Sequence, residues 1–211
     1  MKSKNKIGIL GGTFNPIHIA HLILAQNALE YCGLEKVLFI PSGISYLKDP
    51  DIIAGTKHRL EMTRLAISGN DRFELSTIET DRKGNSYTYE TLEILCRNNP
   101  DYRYYYIIGA DTLLYMENWK NPAAIFDKCT VVCAKRDNYT DEKINEKAEF
   151  LKKRYNADII IMNIPELAVS SSLIRDLLAA DKSCRYYLDD KVIEYINDNG
   201  LYREMNGNDS H

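Results

Sequence analysis

GILGGTFNPIHIAHLILA, residues 8–25, is the stretch whose reading decides the fold. Ile7–Leu10 is a short apolar run of strand character, stopped by Gly11 and Gly12. From Ile19 to Tyr31 apolar residues recur at helical spacing, which predicts an amphipathic helix. A strand, a glycine turn and a helix in that order make a place for an anion. The helix start presents N–H groups and a partial positive charge. The two glycines let backbone approach a ligand and admit unusual φ angles. His18 and His21 are three apart, so in a helical first turn they share one face. Imidazole donates to phosphate oxygens whether neutral or charged. A lone histidine would read as surface or core. Two of them, framed by Gly-Gly-Thr and Asn-Pro, read as a site for a polyphosphate whose charge grows in a transition state.

The rest of the chain continues the alternation. Lys36–Ile40, Phe73–Thr77, Arg103–Ile108, Lys128–Cys133 and Asp158–Met162 read as strands. Lys57–Ile67, Thr88–Arg97, Asp111–Trp119, Asp141–Tyr155, Ser172–Leu178 and Asp189–Asn199 read as helices, with a polar loop over Ser42–Gly55. The strands are continuous apolar runs, which suit a parallel sheet covered on both faces. The expectation is an α/β, Rossmann-like, doubly wound parallel sheet with helices on both faces and a C-terminal helical end. The 211 residues fit a single domain, its core over residues 7–202 and a polar tail over 204–211.

Several classes are excluded or disfavoured. A net charge of −3 gives no basic field for nucleic acid. No run reaches the length of a membrane span, and MKSKNK leads into glycines rather than a secretory h-region. The expected compartment is the cytoplasm. Five scattered cysteines, including the pair in CTVVC at 129 and 133, read as buried thiols rather than a zinc site. Neither G-x-x-x-x-G-K-[ST] nor G-x-G-x-x-G is present, which disfavours a dinucleotide oxidoreductase.

GGTFNPIHIAH resembles the T/HxGH signature of the nucleotidyltransferase superfamily. FIPSGISYLKD, GNSYTYETL, YIIGADTL with a following NW, and VSSSLIRDLL occur in order after it. Together they resemble the bacterial nicotinate-mononucleotide adenylyltransferases over residues 7–202. Ala20 departs from the signature, where glycine is usual.

The resemblance implies a reaction and a set of residues. The phosphate of nicotinate mononucleotide would attack the α-phosphorus of ATP, giving nicotinate adenine dinucleotide and pyrophosphate. Gly11, Gly12, Thr13, Phe14, His18, His21, Gly109, Asp111, Ser171, Ser172 and Arg175 would bind ATP, with His18, His21 and Arg175 catalytic. Arg136 is a weaker candidate on the ATP side. Lys48, Thr88, Tyr89 and Trp119 would bind the mononucleotide: the lysine at its phosphate, Thr88 at the nicotinate carboxylate, Trp119 stacked on the ring. Magnesium (Mg2+) would travel on the ATP phosphates, with no metal ligands from the protein. ATP and nicotinate mononucleotide are the expected partners, with no nucleic acid or membrane, and a homo-oligomer is left open. The rivals are nicotinamide mononucleotide or phosphopantetheine as acceptor, and a nucleotide-binding regulator without turnover.

Overall fold

The computed structural model describes residues 5–43, 53–135, 141–165 and 167–203. The predicted tail, Lys48 and Arg136 lie outside them. Six strands run β1 Asn5–Gly12, β2 Lys36–Pro41, β3 Phe73–Leu75, β4 Tyr102–Gly109, β5 Cys129–Lys135 and β6 Asp158–Asn163. All pair in parallel, in the order β3-β2-β1-β4-β5-β6. The helices between them are α1 Ile19–Tyr31, α2 Thr56–Ile67, α3 Thr88–Asn98, α4 Ala110–Tyr115, α5 Pro122–Lys128 and α6 Asp141–Tyr155. After β6 come α7 Ser171–Ala179 and α8 Asp190–Asp198. This is the doubly wound sheet the alternation predicts.

Two apolar layers account for the continuous strand runs. Ile7 and Ile9 of β1 and Tyr104 and Tyr106 of β4 point to one face, where α3, α4, α5 and α6 cover them. Leu10, Tyr105 and Ile107 point to the other, beneath α1, α2, α7 and α8. Gly8 sits where a Cβ would lie 2.8 Å from Leu34, 3.0 Å from Val37 and 3.2 Å from Ile107. The side chains of Leu34 and of the neighbouring strands β2 and β4 therefore fill the space over β1 that a side chain at position 8 would take.

Three sequence expectations need correction. The predicted helix Asp111–Trp119 is α4 followed by a 3-10 turn, Met116–Asn118, that ends before the tryptophan. Helix α5 was not expected; Asn121 in the left-handed region with Pro122 at the first helical position starts it. The predicted strand Lys128–Cys133 begins one residue later, because Lys128 closes that helix.

Cys129 and Cys133 both face the buried layer, and all five cysteines are free. Burial pushes the Cys133 thiol up to about 12 and raises Cys129 as well. Among the described residues, no helix is long and apolar enough to cross a membrane.

Candidate functional site

In an open parallel sheet the binding crevice lies at the carboxyl ends of the strands where the order reverses. Here that point is between β1 and β4, so Gly11–Gly12 and Gly109 flank it. A cavity of about 520 Å³ opens beside β1, a size within the ~300–1,000 Å³ typical of small-molecule sites. Gly12–Asn15 form one wall; His21, Ser170–Ser172 and Arg175 form the other, with Ile53 at the rim.

The turn after β1 differs from its expected construction. Gly11 and Gly12 do not adopt left-handed φ; they are needed for space. A Cβ on Gly11 would lie 3.0 Å from the Tyr106 hydroxyl, and one on Gly12 would lie 3.0 Å from the Phe14 ring. The left-handed residue is Phe14, at φ +48°. Its ring is buried and meets His21 edge-on, with centroids 5.0 Å apart. A bulky residue held there costs backbone strain, which the packed ring offsets. Asn15–Pro16 is a cis peptide.

The two histidines are adjacent, but not by sharing a helical face. His18 is the extended N-cap of α1 at φ −147°, and His21 is the third helical residue. Their rings lie against each other, tilted by 33°, with centroids 3.7 Å apart. The His18 backbone N–H donates to His21 Nδ1 at 3.2 Å. An accepting Nδ1 leaves the proton of a neutral His21 on Nε2. His21 lines the cavity, whereas His18 is 7% exposed and lies behind it. Ala20 is buried and does not line the cavity, so its methyl group does not narrow it.

Helix α7 closes the opposite wall. Ser170, not Ser171 or Ser172, is its N-cap, accepting from Leu173 N–H at 3.1 Å. Ser171 donates to the Pro16 carbonyl at 2.9 Å, tying the helix to the turn. Arg175 donates through Nη1 to the Asn15 carbonyl at 3.0 Å and through Nη2 to Ser172 Oγ at 3.2 Å. The guanidinium is thus fixed at the cavity wall by neutral acceptors, leaving its charge available to an anion.

The other predicted residues do not line this cavity; they lie on β4, α3, α4 and the turn after α4. Gly109 is the N-cap of α4, and a Cβ there would meet nothing within 4 Å, so its backbone is open to a ligand. Asp111 is exposed in the first turn of the same helix. Thr88 opens α3, with Tyr87 as its cap. The buried Tyr106 hydroxyl is hydrogen-bonded to the Thr88 side chain, and its ring lies edge-on to Trp119 at 6.1 Å. Trp119 is half-buried against the core, so it is neither fully sequestered nor free. The Tyr89 hydroxyl donates to Glu90 at 2.9 Å and is committed to that carboxylate. Lys120 sits over the Tyr87 ring at 3.9 Å.

Sequence reasoning missed Asn15, Arg59 and Tyr202. Arg59 is 3% exposed and donates to the Thr13 carbonyl at 2.9 Å. In TKHRLEMTRL nothing separates it from Arg64, which pairs with Glu61 at the surface. Among the described residues, no group of three or more His, Cys, Asp or Glu side chains could hold a metal ion.

Comparison with known proteins adds independent findings. The cytidylyltransferase-like family model matches residues 9–177. The probable nicotinate-nucleotide adenylyltransferase of Lachnoclostridium phytofermentans is 40% identical over 197 residues, covering 93% of this chain and 98% of that protein. A protein of the same name from Enterococcus faecalis is 36% identical over 203 residues, covering 96% and 87%. The solved Plasmodium falciparum nicotinic acid mononucleotide adenylyltransferase complexed with NaAD superposes with a TM-score of 0.76 at 22% identity, over 94% of this chain and 97% of that one. At that identity the last likeness speaks to the fold.

Proposed function

We propose a mechanism from one premise: the chain belongs to the cytidylyltransferase-like family and, within it, to the nicotinate-nucleotide adenylyltransferases. It joins ATP and nicotinate mononucleotide to give nicotinate adenine dinucleotide and pyrophosphate, a step of NAD biosynthesis. One observation carries the residue-level reading. The turn after β1 and the first turn of α7, far apart in sequence, meet in one cavity lined by N–H, hydroxyl, imidazole and guanidinium donors.

The mononucleotide phosphate needs no general base, because a phosphate monoester has its second pKa near ~6 and is largely ionised at neutral pH. One of its oxygens attacks the α-phosphorus in line. The new O–P bond forms as the bond to pyrophosphate breaks, and the leaving group carries away the negative charge. Catalysis is then positioning plus stabilisation of that charge. His21 lines the cavity, so we assign it to the α-phosphate and bridging oxygen, with Thr13 in support. His18 lies against the His21 ring at 3.7 Å, and we assign it to the same charge on the family resemblance. Ser172 and Arg175 hold the departing pyrophosphate, with Ser171 bracing the turn. Gly11, Gly12 and Phe14 shape the ATP turn, and Gly109 and Asp111 meet the ribose. Thr88 and the α3 N-terminus take the nicotinate carboxylate, and Trp119 stacks on the ring. For Tyr89 the contribution is its backbone at the helix start, since its hydroxyl serves Glu90.

A divalent cation accompanies ATP in this chemistry, and we assign it as magnesium carried on the phosphates. None of the described cavity-lining residues is a carboxylate, so those side chains suit phosphate oxygens and not a hard cation. Five free thiols agree with a reaction carried out in the reducing cytoplasm. We read the chain as one domain holding both substrates.

The test is pyrophosphate release from ATP and magnesium, with nicotinate and nicotinamide mononucleotides run side by side. Release with the acid well above the amide is expected. Equal release would overturn the carboxylate role of the α3 start while keeping the reaction class. ATP binding without release from either acceptor would point to the regulator.

A further inference from the structure

The phosphate turn is held from behind by two residues that do not line the cavity. The side-chain oxygen of Asn15 accepts from Ala54 N–H at 3.0 Å and from the Tyr202 hydroxyl at 2.8 Å. The Asn15 carbonyl accepts from Arg175, and the Thr13 carbonyl accepts from Arg59. Arg59 also donates through Nε to the Ala54 carbonyl at 3.1 Å and through Nη2 to Thr56 Oγ1 at 3.2 Å. Asn15 is 5% exposed, so these bonds are made away from competing water.

The chain is built to deliver Tyr202 to this place. Helix α8 ends with Gly200 at φ +58°, where Leu201 N–H donates to Ile196 O and Gly200 N–H to Asn197 O. That double bond is the Schellman arrangement, which turns the chain sharply off the helix. Tyr202 follows in the left-handed region at φ +63°, an uncommon conformation for an aromatic residue. Burial pushes its phenol well above the usual range, against the pull of the Arg175 and Arg59 charges. The hydroxyl therefore stays protonated and keeps donating.

We propose that Tyr202 and Arg59 are positioning residues for the ATP end: they fix the Thr13–Asn15 turn and, through the Asn15 carbonyl, set the aim of Arg175. The inference rests on the adenylyltransferase reading, since it is the ATP phosphates that the turn is positioned to meet. Neither residue touches substrate. Their effect falls on ATP and not on the mononucleotide, because Thr88 and Trp119 rest instead on Tyr106 of β4.

The experiment compares two conservative deletions of a buried hydroxyl. Tyr202→Phe removes the bond to Asn15, and Tyr104→Phe removes one to the Leu95 carbonyl at 3.1 Å on the opposite face of the sheet. Each purified protein is titrated with a non-hydrolysable ATP analogue by calorimetry and assayed for KM of both substrates. Tyr202→Phe is expected to weaken analogue binding and raise KM for ATP roughly threefold to tenfold, with KM for the mononucleotide unchanged. Tyr104→Phe should leave both KM values unchanged. Unchanged ATP constants in Tyr202→Phe, or equal rises in both KM values, would overturn the proposal in favour of a purely structural tyrosine. If Tyr202→Phe does not fold, Arg59→Lys, which keeps the charge and loses the fork, is judged by the same split. Should the parent bind the analogue yet release no pyrophosphate, the reaction is wrong, and positioning is still decided by the binding constants.

Discussion

The two ends of the crevice are made by opposite means. The proposed phosphate end is cross-braced: the turn after β1 bonds to Ala54, Arg59, Ser171, Arg175 and Tyr202, drawn from three separate stretches of chain. The proposed pyridine end is a shelf, with Trp119 packed on the apolar layer and edge-on to Tyr106, and Thr88 at a helix start. The difference follows from the ligands. A polyphosphate needs many donors converging at once, and each must be held against its own tendency to find water. A flat ring needs one face and a wall, and dispersion with a half-buried aromatic provides them without directional bonds.

Substitutions at each end should break differently. His18→Ala carries the largest expected effect, a fall in kcat of roughly a hundredfold or more, as loss of one charge-stabilising donor gives elsewhere. Steady-state pyrophosphate release measures it, and near-normal turnover would mean that His21 alone serves the α-phosphate. Trp119→Ala should raise KM for the mononucleotide about twofold to tenfold and spare KM for ATP, the range of an aromatic contact. If both constants move, the shelf is part of the bracing and the contrast between the ends fails. Gly8→Ala should touch neither KM. Its methyl would press on Leu34, Val37 and Ile107, lowering stability by about 1–3 kcal/mol in chemical denaturation. A selective loss of ATP affinity there would show that the spacing of helices from β1 also tunes the turn.

The contrast also governs what could be read from sequence. Strands were legible because a strand covered on both faces needs an unbroken apolar run, as in the IGIL of β1 and the YYYII of β4. The helix α1 lies where it was expected, but it is apolar around most of its surface and not amphipathic, with Leu22, Ile23 and Leu24 only half-buried, and its start was not legible. His18 looks like a first-turn residue, and only its extended backbone makes it the cap. Helix α5 escaped because seven residues are too few for a period to show; the Asn121-Pro122 pair was its one signal. At the site, the glycines and histidines could be found because short-range order carries them. Why the glycines are there could not, since the atoms they avoid belong to Tyr106 and Phe14. Arg59 and Tyr202 were out of reach for the same reason: a buried arginine and a late tyrosine gain meaning only from partners far along the chain. The proposed pyridine end rests on the resemblance alone, and its predicted Lys48 lies outside the described residues.

The hydrogen bond between Tyr202 and Asn15 spans 187 positions of the chain. During synthesis the glycine turn emerges 187 residues before the tyrosine proposed to brace it. At ordinary translation rates of ~5–20 residues per second, the two are separated by on the order of ten to forty seconds. For that interval the nascent polypeptide owns a phosphate loop without its latch. On the positioning role proposed for Tyr202, the braced turn is therefore complete only after α8 has been made and has docked.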